Sequence, residues 1–237
     1  MIEKHPNNQL LQRLTVKELG LLGPLEAVSL AAHEPIEAAN APIEYVHFVE
    51  TGFVSVVADG ASKDPIEIGL IGDEGMTGMA ILLGDTQSPF ETFVQGAGTS
   101  LRMRSSKLEE VLLEVPAIRT VFLRYARSFA TQIASTASAN GRSSIEARLA
   151  RWLLMVEDRM GRSFPITHEF LSIMLAVQRP GVTLALQTLS FGHFIRTTRG
   201  NVEILDRKGL INCTRGAYGV AEREYLRLFP ALTAPSS

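Results

Sequence analysis

The chain has 237 residues, 46% of them hydrophobic, with a formal net charge of −2 and a single cysteine. This length suits one large domain or two small ones with ample core material. A lone cysteine excludes an internal disulfide and a cysteine-ligated iron–sulfur cluster, and it favours a reducing compartment. No apolar run approaches the ~20 residues of a membrane helix, and the polar N-terminus lacks the apolar core of a signal peptide. We therefore expect a cytoplasmic protein that does not meet a membrane.

The small net charge conceals an uneven distribution along the chain. Residues 1–161 carry 14 Lys and Arg against 20 Asp and Glu, a net of −6, whereas residues 162–237 carry 9 against 5, a net of +4. Oppositely charged parts indicate an acidic module joined to a module that meets an anion. The alternative is a chance asymmetry.

The N-terminal part reads as a short helical segment followed by strands. Thr15 and Glu18 have the spacing of a capping box at a helix start. Residues 34–103 then alternate apolar and polar side chains and are interrupted by Gly, Asn, Asp and Pro. This pattern predicts a compact antiparallel β module, either a sandwich or a barrel. Its strongest hairpin signal is "ADGASKD", at residues 58–64.

A long helix is predicted after this module. Pro116 fits its first turn, and the helical pattern runs towards Gly141. Residues spaced by 4, 3, 4, 3 and 4 positions form a heptad-like seam along it. The seam consists of Ile118, Phe122, Tyr125, Phe129, Gln132 and Thr136. Because one small β module cannot cover so long a rod, we expect the seam to form a two-helix dimer interface; the alternative is a helix lying across its own domain.

Two short helical patterns near residue 175 are separated by "VQRPG". Thr167 is placed to cap the first helix, predicted over His168–Leu175, and Pro180 fits the first turn of the second. Two short helices joined by a tight turn make a helix-turn-helix. A recognition helix enters the major groove by its N-terminal end, where Gln178 and Arg179 lie.

The side chains at that end have the chemistry for reading bases. Arginine can bond a guanine edge with two hydrogen bonds, and glutamine can do the same with adenine. Thr183, on the first turn, has a hydroxyl suited to phosphate. The stretch "FIRTTRGNVEILD" then reads as strand, turn and strand, with Arg196 and Arg199 around the turn. This is the expected form of the wing of a winged helix; the alternative is an ordinary solvated hairpin.

The order of β module, long helix, helix-turn-helix and wing resembles the Crp/Fnr family of bacterial transcription regulators, over residues 8–225. The most specific matches are "ITHEFLSIMLAVQRPGVTLAL" and "GHFIRTTRGNVEILD", while "YVHFVETGFVSVV" and "IGDEGMTGMAILLG" are similar to the family's β-roll. The resemblance implies an α+β fold. It would comprise an N-terminal antiparallel β-roll (jelly-roll or cupin-like) at 1–115, a long dimerisation helix at 116–141 and a C-terminal winged helix-turn-helix at 142–237.

The resemblance also implies a sequence-specific regulator that binds pseudo-palindromic operators as a homodimer, under control of an effector in the β-roll. The implied partners are double-stranded DNA, a second copy of the chain, RNA polymerase and an unidentified effector. No catalytic residue, metal or cofactor is expected. The implied DNA-binding residues are Thr167, His168, Gln178, Arg179, Gly181, Thr183, Gln187, Arg196, Thr198 and Arg199. Pro180 and Gly181 occupy the positions at which better-known members have Glu and Thr. The resemblance therefore does not imply the base preference of those members.

The resemblance departs from the members that bind cyclic nucleotides. Those members have a glutamate after the Gly-rich turn and an arginine about ten residues later for the phosphate. Here Met79 and Ala80 lie near the first position, Phe90 and Glu91 lie near the second, and residues 64–101 contain no Lys or Arg. A charged hydrogen bond to phosphate contributes about 1.5–3 kcal/mol. We therefore expect that the chain does not bind cyclic AMP through the usual contacts.

Two other classes of function stay open at this point. One is a β-roll regulatory subunit that docks a protein partner through its helical C-terminus. The other is an enzyme with a cupin-like barrel, which would need clustered histidines and carboxylates, whereas the five histidines are scattered. Heme ligation by His33 or His47 and redox sensing by Cys213 are further alternatives.

Overall fold

The computed structural model describes residues 6–59 and 65–231. Most of the predicted turn "ADGASKD" therefore lies outside the described residues. The chain separates into two units. Unit 1 contains residues 6–55, 71–131 and 221–231, and unit 2 contains 56–70 and 132–220. This grouping differs from the predicted three-part division in three places. Residues 56–70 of the strand region go with the winged module, and the C-terminal segment goes with the β module. The long helix is divided between the two units after residue 131.

The N-terminal sheet has the strand order β1-β5-β3-β4, with β2 also paired to β5. Strands β1 and β5 are antiparallel, with Glu26 opposite Arg102 and Leu30 opposite Gly98. The strands of this sheet are β1 (Glu26–Leu30), β2 (Pro35–Glu37), β3 (Tyr45–Asp59), β4 (Pro65–Ile71) and β5 (Glu91–Arg104). A second sheet has the order β6-β8-β7. It consists of β6 (Ser163–Pro165), β7 (Ile195–Thr198) and β8 (Asn201–Ile204).

Helices connect and cover these sheets. A short 3-10 helix, Leu11–Arg13, precedes α1, whose predicted capping box between Thr15 and Glu18 is confirmed. The α-helices are α1 (Val16–Leu21), α2 (Met79–Leu82), α3 (Ser105–Glu114), α4 (Pro116–Arg142), α5 (Ile145–Met160), α6 (His168–Leu175), α7 (Arg179–Phe191), α8 (Arg207–Cys213) and α9 (Val220–Leu228). An N-terminal antiparallel sheet, a long helix and a C-terminal winged helix-turn-helix confirm the predicted fold class.

The long helix α4 packs its bulky side chains against strands of its own chain. In unit 1, the rings of Phe122 and Phe48 lie 5.7 Å apart, and the hydroxyl of Tyr125 donates to the carbonyl of Met76 over 3.1 Å. In unit 2, Gln132 Oε1 accepts from the backbone N–H of Leu70 at 2.7 Å. These contacts fix one side of α4 to the sheet.

The residue assignment of the dimer seam is therefore corrected. Ile118 and Phe122 are fully buried, and Tyr125, Phe129 and Gln132 are at most 8% exposed. The sixth residue, Thr136, is half-buried, and its hydroxyl donates to the carbonyl of Gln132. Side chains that are already covered by their own chain have no surface to offer a second subunit. The seam is the face of α4 that packs against its own chain. This agrees with the alternative interpretation, a helix lying across its own domain.

Helix α5 is central to unit 2. Its N-cap residue is Ser144, whose side chain accepts from the N–H of Ala147. Its buried side includes Trp152, whose indole N–H donates to Glu67 Oε1 at 2.8 Å. Glu67 belongs to β4 and is 4% exposed. This hydrogen bond joins a strand residue of the β4 segment to α5, the first helix of the winged module.

The last helix, α9, belongs to unit 1 and packs near the N-terminus. The hydroxyl of Tyr225 lies 3.1 Å from Gln9 Oε1 and 3.2 Å from the carbonyl of Glu74. Arg13 Nη2 donates to the carbonyl of Phe229 at 3.2 Å. The chain therefore enters unit 2 twice, over residues 56–70 and 132–220, and returns to unit 1 each time.

Candidate nucleic-acid interface

The helix-turn-helix forms where its local signals place it. Helix α6 has the predicted bounds, His168–Leu175, and the side chain of Thr167 accepts from the N–H of Phe170 at 3.2 Å. It ends at Ala176, which adopts a left-handed φ of 48°. Helix α7 then begins at Arg179 with Pro180 in its first turn, where no intrahelical N–H bond is lost.

The buried face of α7 fixes which side chains point outwards. Val182, Ala185, Leu186 and Leu189 are at most 4% exposed. Because these residues follow the 3.6-residue period, the opposite face of α7 is presented to solvent. That face carries Pro180, Leu184, Gln187, Thr188 and Phe191, all of them exposed.

The N-terminal end of α7 presents polar side chains. Gln178 is the N-cap residue and is exposed, and its side chain makes no capping hydrogen bond. Arg179 Nη2 lies 3.0 Å from Glu169 Oε1 on α6, and both side chains are more than 60% exposed. This end therefore offers an amide and a guanidinium to a partner in solution. The ion pair with Glu169 was not anticipated from the sequence, because it joins two helices.

A second contact between α6 and α7 involves His168 and Thr183. The Thr183 hydroxyl donates to the carbonyl of Arg179, and His168 Nδ1 lies 3.1 Å from the same hydroxyl oxygen. Since the hydroxyl has one hydrogen, it accepts from Nδ1–H when it donates to the carbonyl. The two predicted residues therefore lie together, but they hydrogen-bond to each other, and Thr183 also bonds to the backbone.

Gly181 has a packing role. It is half-buried, and a Cβ at this position would lie 3.3 Å from Ile145 Cδ1 of α5. A larger residue here would press against α5, so Gly181 allows α7 to approach that helix. Gln187, by contrast, is exposed on the outward face, two turns along the helix from Arg179.

The wing is a hairpin with a two-residue loop. Thr198 pairs with Asn201, and the loop is Arg199 and Gly200, with Gly200 at a φ of 75° that favours glycine. Arg196 lies on β7, opposite Glu203 of β8, and Arg196 Nη1 is 2.8 Å from Glu203 Oε2. Arg199 and Thr198 are exposed at the tip. The wing thus presents one arginine at its end and a second whose charge is partly offset by a carboxylate.

Residues 147–213 match the family model of the Crp-like helix-turn-helix domain. The chain carries a Crp-like helix-turn-helix domain. The matched segment runs from α5 to α8 and includes both helices of the motif and the wing.

Solved structures resemble the chain well beyond the Crp-like domain. FixK2 from Bradyrhizobium japonicum has a TM-score of 0.69 at 15% identity, covering 80% of this chain and 97% of its own. The c-di-GMP-responsive regulator CLP from Xanthomonas campestris has a TM-score of 0.66 at 12% identity, covering 80% and 99%. A Crp-family transcriptional regulator from Thermus thermophilus has a TM-score of 0.62 at 19% identity, covering 81% and 99%. None of the curated protein sequences compared with the chain matches it.

These likenesses agree on the architecture. The chain has the fold of a Crp/Fnr transcription regulator, with a helix-turn-helix DNA-binding domain at its C-terminal side. The predicted resemblance in fold and in the helix-turn-helix domain is confirmed. At these identities the solved structures support a shared fold alone. The ligands of those proteins are not assigned to this chain.

The β module of this Crp-like chain contains a buried carboxyl group at the Gly-rich turn. Gly78 has a left-handed φ of 79° and precedes α2, and its N–H donates to Glu37 Oε1 at 2.5 Å. The Thr92 hydroxyl donates to Glu37 Oε2 at 3.1 Å. Glu37 is 8% exposed, and burial raises its pKa, while the bonds from Gly78 and Thr92 oppose the rise. The N–H of Gly78, at the end of the Gly-rich turn, is thus occupied by a side chain of the protein itself.

Burial shifts the pKa values of His47 and Cys213, the two residues for which heme ligation and redox sensing were alternatives. Burial lowers the pKa of His47 to about 4, and its Nδ1 lies 3.0 Å from the hydroxyl of Ser100. Burial raises the pKa of the Cys213 thiol, which reduces the thiolate fraction on which redox reactivity depends. Among the described residues, no cluster of His, Cys, Asp and Glu has the composition of a metal site. Within the same ranges, no helix has both the length and the hydropathy to cross a bilayer.

Proposed function

We propose that the chain is a sequence-specific DNA-binding transcription regulator that acts as a homodimer on a pseudo-palindromic operator. One observation carries this proposal: the exposed N-terminal end of α7 presents Gln178 and Arg179 inside a Crp-like helix-turn-helix domain. In this motif the start of the second helix enters the major groove. A guanidinium and an amide at that position suit guanine and adenine edges.

The remaining predicted residues fall into two groups: those proposed to contact the DNA backbone and those that hold α7 in place. Four exposed residues are proposed to contact phosphates: Thr167 at the start of α6, and Arg196, Thr198 and Arg199 on the wing. Gln187 faces outwards on α7. His168 and Thr183 brace the start of α7, and Gly181 allows its packing. Phosphate contacts fix the register on the duplex, and base contacts give the sequence preference. Binding should therefore weaken steeply as salt increases.

The homodimer is proposed to form through the outward face of α4, opposite the face first predicted. The exposed residues along this helix repeat at spacings of 4, 3, 4, 3, 4, 3 and 4. They are Pro116, Thr120, Leu123, Arg127, Ala130, Ala134, Ala137 and Gly141. Spacing of this kind suits a two-helix seam, and the small side chains of its second half permit close approach of two helices. A second copy of the chain would cover this face.

The β module is proposed not to bind cyclic AMP. The Glu37 carboxyl group already accepts the N–H of Gly78, and residues 64–101 offer no cationic side chain. A phosphate placed beside Glu37 would meet a like charge or a buried acid instead of a positive partner. Calorimetry with cyclic AMP and cyclic GMP tests this part; a Kd tighter than about 10 µM would contradict it. The effector, a contact with RNA polymerase and a cytoplasmic location remain proposals taken from the family resemblance.

The class of function is tested by selecting bound sites from random duplexes with the purified chain and no added ligand. Enrichment of a two-fold symmetric site, with affinity that falls steeply with salt, supports a dimeric regulator. Arg179→Ala should lose the enrichment, and Arg227→Ala on α9 is the control outside the winged module. The alternative, a β-roll subunit that docks a protein through its helical C-terminus, would give no enriched duplex and no salt-dependent duplex binding.

A further inference from the structure

The outward face of α7 carries two large apolar side chains. Leu184 is 61% exposed and Phe191 is 89% exposed. Leu184 follows Pro180 by four residues and precedes Gln187 by three, so all three lie on one face of the helix. Leu184 is therefore directed away from the apolar face that holds α7 in the domain, and packing within the described part of the chain does not account for a leucine there.

The position of Leu184 along α7 places it near the end that carries Gln178 and Arg179. It lies five residues after Arg179, a rise of about 7.5 Å along the helix axis. Phe191 lies about 18 Å from Arg179 by the same measure, at the far end of the helix. A helix that enters a groove by its N-terminal end brings its first two turns to the bases. Leu184 is in these turns, and Phe191 is not.

The chemistry of a leucine side chain limits what it can recognise in the major groove. It has no hydrogen-bonding group, so it cannot read the donors and acceptors of a base edge. The apolar feature of the groove is the C5-methyl group of thymine, and apolar side chains are the residues that contact it. A hydroxyl or amide at position 184 would instead leave that methyl group unmatched.

We propose that Leu184 is a base-reading residue that recognises thymine through its methyl group. The inference rests on the proposed function, because it needs α7 in the major groove. The surface is continuous with the polar end formed by Gln178 and Arg179 and is flanked by Gln187, which favours a duplex over a protein partner as its occupant. One helix face would then combine hydrogen-bonding and apolar readout.

The test removes single methyl groups from the DNA. In the duplex selected by the wild-type chain, each thymine of one half-site is replaced in turn by deoxyuridine, which pairs identically and lacks only the methyl group. The wild-type chain should bind about fourfold more weakly at one of these positions, the factor expected for one buried methyl group. Leu184→Ala should bind thymine and deoxyuridine equally at that position, and Leu184→Met should keep the discrimination.

Leu226→Ala is the matched control, because Leu226 is 62% exposed and lies on α9, outside the winged module. It should discriminate as the wild type does. The inference is overturned if the wild-type chain binds thymine and deoxyuridine equally at every position, or if Leu184→Ala keeps the discrimination. A selected site without an enriched thymine also overturns it. If no duplex is enriched at all, the proposed function fails as well. The failure of the inference alone is therefore distinguishable from the failure of the proposed function.

Discussion

Arg179 Nη2 lies 3.0 Å from Glu169 Oε1, so the arginine that begins α7 is held by the preceding helix of the same motif. Both side chains are more than 60% exposed, and such pairs contribute only about 0–1 kcal/mol. The pair therefore biases the direction of the guanidinium and can be exchanged for a stronger, less solvated partner. On binding a guanine edge, Arg179 would exchange the single acceptor of Glu169 for the two acceptors of the base.

Replacing Arg179 with alanine should relax base preference. We expect a loss of about 1–3 kcal/mol on the selected duplex and a smaller loss on duplexes changed at the base that Arg179 reads. Glu169→Gln keeps the shape but removes the charge, and should change affinity for either duplex by less than about 1 kcal/mol. Fluorescence anisotropy on matched and changed duplexes measures both. Equal losses for Arg179→Ala on every sequence would contradict a base-reading role.

Arg199 at the wing tip should act on phosphate. Arg199→Ala is expected to weaken binding to all duplexes by a similar factor and to reduce the slope of log K against log salt by about 1 per subunit. Arg196→Ala should flatten the slope less, because Arg196 is already paired with Glu203 at 2.8 Å. Titrations at several salt concentrations give the slopes. A sequence-selective loss at Arg199 would refute the assignment.

The outward face of α4 should determine the oligomeric state. Ala134 is exposed in the middle of the small-residue part of that face, and a glutamate there would place like charges together across a two-fold axis. We expect Ala134→Glu to sediment as a monomer where the wild-type chain sediments as a dimer. Leu226→Glu on α9 introduces the same charge at another exposed site and should remain dimeric. Sedimentation velocity distinguishes them, and a dimeric Ala134→Glu would exclude this face.

The buried His47 should make the stability of the protein depend on pH. Its pKa is lowered from 6.5 to about 4, mainly by burial and secondarily by Arg102. Between these values the unfolded chain takes up a proton that the folded chain does not, so the free energy of unfolding falls as the pH falls. The loss attributable to His47 is at most about 3 kcal/mol by pH 4.

His47→Gln isolates this contribution, because the side chain can still hydrogen-bond near Ser100 but does not titrate. Urea unfolding at several pH values gives the difference between wild type and variant, in which the carboxyl groups common to both cancel. The free energy of unfolding of the variant, relative to that of the wild type, should increase as the pH falls from 6.5 to about 4. Parallel curves would show that His47 is not kept neutral by the fold.

The bond between Trp152 and Glu67 offers an optical probe, since Trp152 is the only tryptophan in the chain. Glu67→Ala leaves a buried indole N–H without this acceptor, and we expect it to cost about 1–3 kcal/mol of unfolding free energy. The emission of Trp152 should shift, because its surroundings change. Glu26→Ala removes an exposed carboxylate in the N-terminal sheet and should leave the emission unchanged. An unaltered spectrum and stability in Glu67→Ala would contradict the contact.

The sequence predicted the parts of the fold that depend on local signals. Thr167 caps α6 because a hydroxyl before a helical stretch satisfies an end N–H, and this needs no distant residue. The turn before α7 and the wing followed in the same way from Pro180 and Gly200. These local rules located the candidate interface.

Contacts over long sequence separations were not predictable in this way. The spacing of Phe122 and Tyr125 correctly indicated a buried face of α4 but not what buries it, since a strand of the same chain and a second helix leave the same pattern. The exposed series through Ala134 carries little hydrophobic signal and was missed. The approach of Glu37 to Gly78 joins residues 41 positions apart, and no local pattern indicates it.

The return of α9 to unit 1 has a consequence for the order in which that unit can be completed. Tyr225 on that helix contacts Gln9, a residue 216 positions earlier in the chain. A chain truncated before α9 would therefore lose contacts of the N-terminal segment, although the residues removed follow the winged module in the sequence. The integrity of unit 1 thus depends on a stretch of the polypeptide that is synthesised after the winged module.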